Sequence, residues 1–152
     1  MTSATKTLSM TQILICGAAI VTLSMGTRHA FGLWLQPVTQ AQGWTRETFA
    51  LAIAVQNLTW GLAGIFSGMV ADKFGAVRVV IVGGLLYALG LAGMAFSTTP
   101  LMFTLTTGVL LGVAQAGTTY AVIYGVIGRN VSADKRSWAM GVAAAAGSFG
   151  QF

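Results

Sequence analysis

From Val79 to Gly128 the chain carries no acidic or basic residue at all, and comparable uncharged runs flank this one on both sides. A water-soluble domain needs charge spread over its whole surface, so a chain with 55% hydrophobic and only 7% charged residues has lipid as the solvent for most of its length. The mean hydropathy of +0.78 agrees. A helix rising 1.5 Å per residue needs about 20 apolar residues to cross a hydrocarbon core of about 30 Å. The run from Val79 to Gly128 is too long for one crossing, and Ser97-Thr98-Thr99-Pro100 divides it, because proline after a polar cluster marks a turn.

On this basis the spacing predicts an all-α membrane protein with spans over about 8–35, 48–71, 79–96 and 101–128, and a fifth over 137–152 that is still running at Phe152. A chain rarely ends inside a span, so the expectation is an N-terminal piece of a longer protein. The basic residues of the short loops set the orientation. Lys6, Lys73, Arg78, Arg129, Lys135 and Arg136 fall on one side if the spans alternate, against Arg46 alone on the other. That asymmetry places the N-terminus and the loops after spans two and four in the cytoplasm. A multi-pass protein of the plasma membrane, expected to be a bacterial inner membrane because the loops are short, follows. Trp44 and Trp138 sit where interfacial aromatics belong.

Several function classes drop out. The net charge of +5 comes from basic residues scattered between apolar runs, so no continuous patch for nucleic acid exists. Cys16 is the single cysteine, which excludes an internal disulfide and a cysteine cluster for metal, and no cofactor motif is present. The stretch from Lys6 to Met25 has no cleavage site of the small-x-small type followed by a polar region, so it reads as a span and not as a signal peptide. The spans contain no acid, one histidine and one cysteine, which gives a membrane-embedded enzyme neither a nucleophile with its base nor a metal centre. A subunit or enzyme region of some other polytopic protein is the competing class.

Glycine and other small residues recur every four positions along Gln56, Trp60, Gly64, Gly68, Asp72 and along Thr104, Gly108, Gly112, Ala116, Tyr120, Tyr124. Such ridges let helix backbones approach closely, which favours association where no water is excluded. The loop between spans two and three reads Gly68-Met69-Val70-Ala71-Asp72-Lys73-Phe74-Gly75-Ala76-Val77-Arg78. Gly68 permits close contact and Gly75 a sharp turn, and Asp72 can accept from a helix N-terminus or pair with a cation such as Arg129. Solvated loop charges are the plainer alternative.

This loop resembles the signature of the major facilitator superfamily between its second and third helices, G-x-x-x-D-[RK]-x-G followed by basic residues. Gly68, Asp72, Lys73 and Gly75 match in place, while Ala76 and Val77 stand where basic residues are usual and Arg78 comes one step late. The resemblance implies a major-facilitator-type bundle, here its first four helices and a truncated fifth, and a latch that closes one side of the transport cycle, built from Gly68, Asp72, Lys73, Gly75, Arg78 and Arg129. Arg28-His29-Ala30-Phe31-Gly32, Gly43-Trp44, Gln56-Asn57-Leu58-Thr59-Trp60-Gly61 and Gly147-Ser148-Phe149-Gly150-Gln151 look like the monocarboxylate and oxalate-formate exchange branch. The proton-driven drug exporters usually carry an arginine before the glycines of the fourth helix and a Gly-Pro pair in the fifth. Here Gly108 precedes Gly112 and Ser148 follows Gly147, which counts against that branch.

Polar residues inside the spans are the candidate substrate contacts. Arg28 lies about 27 Å from the inner face by helical rise, in the outer part of the first span. It offers a permanently charged fork for a carboxylate, or else snorkels to the headgroups. His29 points about 100° away from it. Gln56, Asn57 and Trp60 gather on one face of span two, and Gln115 and Thr118 on span four, with Thr119 beside them and Tyr120 and Tyr124 following. They either bind solute or hold neighbouring helices. The resemblance implies that the first and fourth helices line a central cavity. The expectation is a secondary transporter of a small solute, a monocarboxylate or dicarboxylate anion, working by alternating access. Its partners are that solute, a co-transported proton or exchanged anion, membrane lipid and the missing C-terminal half.

Overall fold

The computed structural model describes residues 9–152, so Lys6 and the first residue of the expected first span lie outside the described residues. All regular structure among the described residues is helical: α1 (Met10–Gln42), α2 (Arg46–Phe74), α3 (Ala76–Ala95), α4 (Pro100–Asn130) and α5 (Ala133–Phe149). The first four are long and apolar enough to cross a membrane. The outward faces carry large apolar side chains, Leu33 at 78% exposure and Leu85 at 62% among them, a surface that water would not tolerate and lipid does.

The helix ends follow local chemistry. Ser9 accepts from the Gln12 amide while the Gln12 side chain accepts from the Ser9 amide, a reciprocal cap that starts α1. The apolar stretch ends at Leu35, yet α1 continues to Gln42. Pro37 removes a single amide donor, and the helix stops only where Gly43 takes the left-handed conformation, φ 66°. Gly75, at φ 92°, makes the turn from α2 into α3 without an intervening loop, which is why α3 begins at Ala76 and not near Val79. Thr99 caps the start of α4 by accepting from the Met102 amide, with Pro100 in the first position.

α4 is the axis of the bundle. It packs against α2 along one side and α3 along another, while α5 packs against α1. Glycines set both close approaches. A methyl group on Gly108 would meet Val55 at 2.9 Å and the Ala52 carbonyl at 3.1 Å, and one on Gly26 would meet the Gly150 carbonyl at 2.5 Å. The α4 ridge is therefore in use, whereas Gly64 and Gly68 on α2 face open space.

α4 is not a continuous α-helix. Its second turn onward, Thr104–Leu110, is π-helical, and Thr119 adopts an extended conformation that divides Leu111–Thr118 from Tyr120–Asn130. Backbone carbonyls freed in lipid need donors, and hydroxyls supply them. Thr119 Oγ1 donates to the Gln115 carbonyl at 2.8 Å, and Ser67 Oγ of α2 donates to the Ala116 carbonyl at 2.7 Å. Two apolar clusters lie along the bundle. One holds Phe31, Phe49, Phe103 and Leu111 near the Trp44 end, and the other holds Val21, Ile123, Ile127 and Ala143 toward the opposite end.

Candidate functional site

Between those clusters runs a layer of polar side chains drawn from four helices, and each helix contributes through its own spacing. On α1, Ser24 and Arg28 are four apart and share a face. The Arg28 guanidinium reaches across to α2, where Nη2 donates to Asn57 Oδ1 and the charge stands 5.0 Å from the centre of the Trp60 ring. Because α1 runs on to Gln42, Arg28 sits near the middle of a 33-residue helix, not toward its outer end. Its Nε is buried and has no partner among the described residues. The side chain extends sideways into the bundle, as a guanidinium must if hydrogen bonds and an aromatic face are to replace its water.

Trp60 links this contact to the break in α4, since its Nε1 donates to Thr119 Oγ1 at 3.0 Å. Gln56 is wholly buried and donates through Nε2 to the Thr107 carbonyl, at 2.9 Å, within the π segment. On the far side of α4, Gln115 Nε2 donates to the Tyr87 hydroxyl at 3.5 Å, and that hydroxyl donates to the Ser24 carbonyl at 3.3 Å. Ser24 and Thr118 share a hydroxyl hydrogen bond of 3.1 Å.

The expected site residues thus separate into two groups. Arg28 and Asn57 open onto a cleft of about 610 Å³ between α1 and α2, lined also by His29, Phe31, Phe49 and Ile53. Gln56 touches its floor. Arg28 and His29, expected to point apart, line the same cleft without bonding each other. Gln115 and Thr118 are buried within helix contacts. The Tyr120 and Tyr124 rings pack at a tilt, with centres 5.3 Å apart, and the Tyr120 ring tip seats against Gly147 of α5. Ser24, Tyr87 and Ser67 belong to the same polar layer and were not anticipated. Ser24 was legible from its four-residue spacing to Arg28, and Tyr87 as the one hydroxyl in the apolar run of α3. Among the described residues, no group of three His, Cys, Asp or Glu side chains stands close enough to share a metal ion.

At the end of the bundle where α2 meets α3, Arg129 Nη1 of α4 pairs with Asp72 Oδ1 of α2. The pair is solvent-accessible, with side chains 44% and 66% exposed, so its contribution to stability is at most about 1 kcal/mol. Lys73 Nζ lies 5.3 Å from the Phe74 ring centre, and Arg78 stands in the first turn of α3 with no acid partner among the described residues.

Comparison with known proteins accords with this architecture. The chain is 41% identical over 58 residues to the multidrug resistance protein MdtH of Proteus mirabilis, 39% over 56 residues to MdtH of Aeromonas salmonicida and 38% over 58 residues to MdtH of Photorhabdus laumondii. These stretches cover 38%, 37% and 38% of the chain and 14% of each relative, so the chain spans a small part of the relatives' length. These names do not support the expected monocarboxylate and oxalate-formate branch. Residues 14–152 match the Major Facilitator Superfamily, nearly the whole described chain, and this multi-pass helical membrane protein belongs to that family of transporters.

Proposed function

We propose that the full-length protein is a secondary active transporter of a small organic monocarboxylate or dicarboxylate anion, moved by alternating access and coupled to a proton or an exchanged anion. One observation carries the choice of anion: a permanently charged guanidinium opens onto the cleft between α1 and α2, faces no acid among the described residues and keeps a buried Nε donor unbonded. Asn57 and Trp60 hold it from one side, and the guanidinium charge beside the cleft is what a carboxylate would meet. The discontinuous α4, tied to Trp60 through Thr119, is the element whose rearrangement would follow occupancy of the cleft. Asp72 and Arg129 latch the ends of α2 and α4 together, and Gly64 and Gly68 leave α2 open to the rest of the polypeptide. The excess of basic residues at the latch end supports a cytoplasmic side for it and for the N-terminus, in what we take to be a bacterial inner membrane.

The names of the relatives support a second reading, export of structurally unrelated drugs. A fixed positive charge in the cleft repels the lipophilic cations that such exporters would be offered, so the anion reading is preferred. Uptake of labelled oxalate, formate and lactate into proteoliposomes of the full-length protein separates the two, with ethidium efflux measured in parallel. Arg28→Ala should lower organic-acid uptake at least tenfold, the value of one charged hydrogen-bonded contact, and Arg28→Lys should recover part of it. Anion uptake unchanged by Arg28→Ala removes the carboxylate clamp. Ethidium movement with no organic-acid uptake selects the drug-export reading.

A further inference from the structure

A second cleft, on the opposite side of α2, has a different chemistry. It is a groove of about 340 Å³ between α2 and α3, with Val113, Ala116 and Gly117 of α4 as its floor. Its walls are Phe66 and Val70 on one side and Val82 on the other, all exposed to the surroundings of the bundle at 43–62%. The floor is close to backbone level because α3 and α4 touch through glycines: a methyl group on Gly117 would lie 3.3 Å from Gly83 Cα. The one hydroxyl in the groove, Ser67, is turned inward and donates to the Gly64 and Ala116 carbonyls, so the groove presents hydrocarbon. In a membrane such a slot is filled by an acyl chain or by another helix.

The mouth of the groove decides between them. Arg78 lines it from the first turn of α3, and Lys73 stands over Phe74, which lines it too. α3 is a 20-residue helix that starts at Ala76, after Gly75, with no side-chain cap and no acid in its first turn, so no side chain compensates its first amide donors and partial positive charge. Asp72, the acid nearest in sequence, is engaged by Arg129. An arginine at a helix N-terminus opposes the helix dipole, and an external anion satisfies both at once. We propose that this groove binds an anionic phospholipid, one acyl chain lying along Phe66, Val70 and Val82 and the phosphate held by Arg78 and the uncapped start of α3. Basic pockets between spanning helices, at the headgroup level next to an apolar slot, recognise lipid in this way.

This groove shares no lining residue with the cleft between α1 and α2. Native mass spectrometry of the full-length protein, stripped of lipid in detergent and titrated with phosphatidylglycerol or phosphatidylcholine, tests it. Phosphatidylglycerol should be retained at one site more than phosphatidylcholine. Arg78→Gln, a change at an exposed position that leaves the helix intact, should weaken that site about fivefold. Ala63→Phe, which fills the groove, should remove it while leaving any other lipid bound. Equal retention of the two lipids, or phosphatidylglycerol retained by Arg78→Gln as by the parent, overturns the proposal. So does disulfide cross-linking of Val82→Cys to a cysteine in a later span, since a helix then occupies the groove.

Discussion

The contact between α2 and α4 makes a sharp prediction for Gly112→Ala. A Cβ at that position would lie 2.8 Å from the Gln56 carbonyl oxygen and 2.8 Å from Thr59 Cβ. The oxygen belongs to the backbone of α2 and cannot rotate away, so the helices must separate by some tenths of an ångström. The same interface carries the Gln56 bond to Thr107 and the Trp60 bond to Thr119, and both would lengthen. Overpacking of this kind costs about 1–3 kcal/mol, and the better helix propensity of alanine returns about 1 kcal/mol, for a net loss of up to about 2 kcal/mol. Gly84 on α3 meets nothing within 4 Å, so Gly84→Ala should show the propensity gain alone, a stabilisation of about 0.5–1 kcal/mol. Unfolding of the purified full-length protein in mixed micelles of rising denaturing-detergent fraction, followed by circular dichroism, reads both. If the two substitutions shift the midpoint in the same direction, the glycine contact is not what holds α2 against α4.

Gln56→Leu should cost about 1–3 kcal/mol in the same assay, because it leaves the Thr107 carbonyl in the π segment without its donor. Asp72→Asn should change the unfolding midpoint by less than about 1 kcal/mol, given how exposed the pair is, yet lower uptake in proteoliposomes. The charge swap of Asp72→Arg with Arg129→Asp should restore uptake if pairing is what matters. Gly75→Ala forces a side chain to φ 92° and should destabilise by about 1–3 kcal/mol in the micelle titration.

How much of this was legible beforehand depended on the range of the physics involved. Membrane solvation acts residue by residue, so uncharged runs marked the helices, and the turn at Gly75 was visible because glycine alone suits it. Helix ends were less legible where polarity and helicity part company. α1 outlasts its apolar stretch by a further seven residues because nothing before Gly43 stops it. The interruption of α4 at Thr119 was hidden for the opposite reason. Its sequence, Gly117-Thr118-Thr119-Tyr120, holds no proline, and the break persists because the Ser67 and threonine hydroxyls donate to nearby backbone carbonyls while Trp60 holds the Thr119 hydroxyl. Ser67 and Trp60 come from α2, far away in sequence.

The same distinction explains why spacing could assemble the candidate site without assigning its members. Residues three or four apart share a face of a helix, but the face does not say whether lipid, a neighbouring helix or a cavity lies opposite. Gln115 and Thr118 have the chemistry of solute contacts, yet Gln115 Nε2 donates to Tyr87 and Thr118 shares a bond with Ser24 in the layer between α1, α3 and α4, which leaves Gln115 Oε1 buried without a partner among the described residues. Asn57, one residue along from the buried Gln56, is exposed, and it is Asn57 that meets Arg28. A turn of about 100° between adjacent residues thus separates a group fixed in the packing from a group available to the cleft. Among the candidates named from the sequence, Arg28 alone is permanently charged, lines that cleft and retains a buried donor without a partner among the described residues. For the proposed anion, binding energy would concentrate there, with Trp60, bonded on its far side to Thr119, carrying a displacement of the guanidinium into the broken helix.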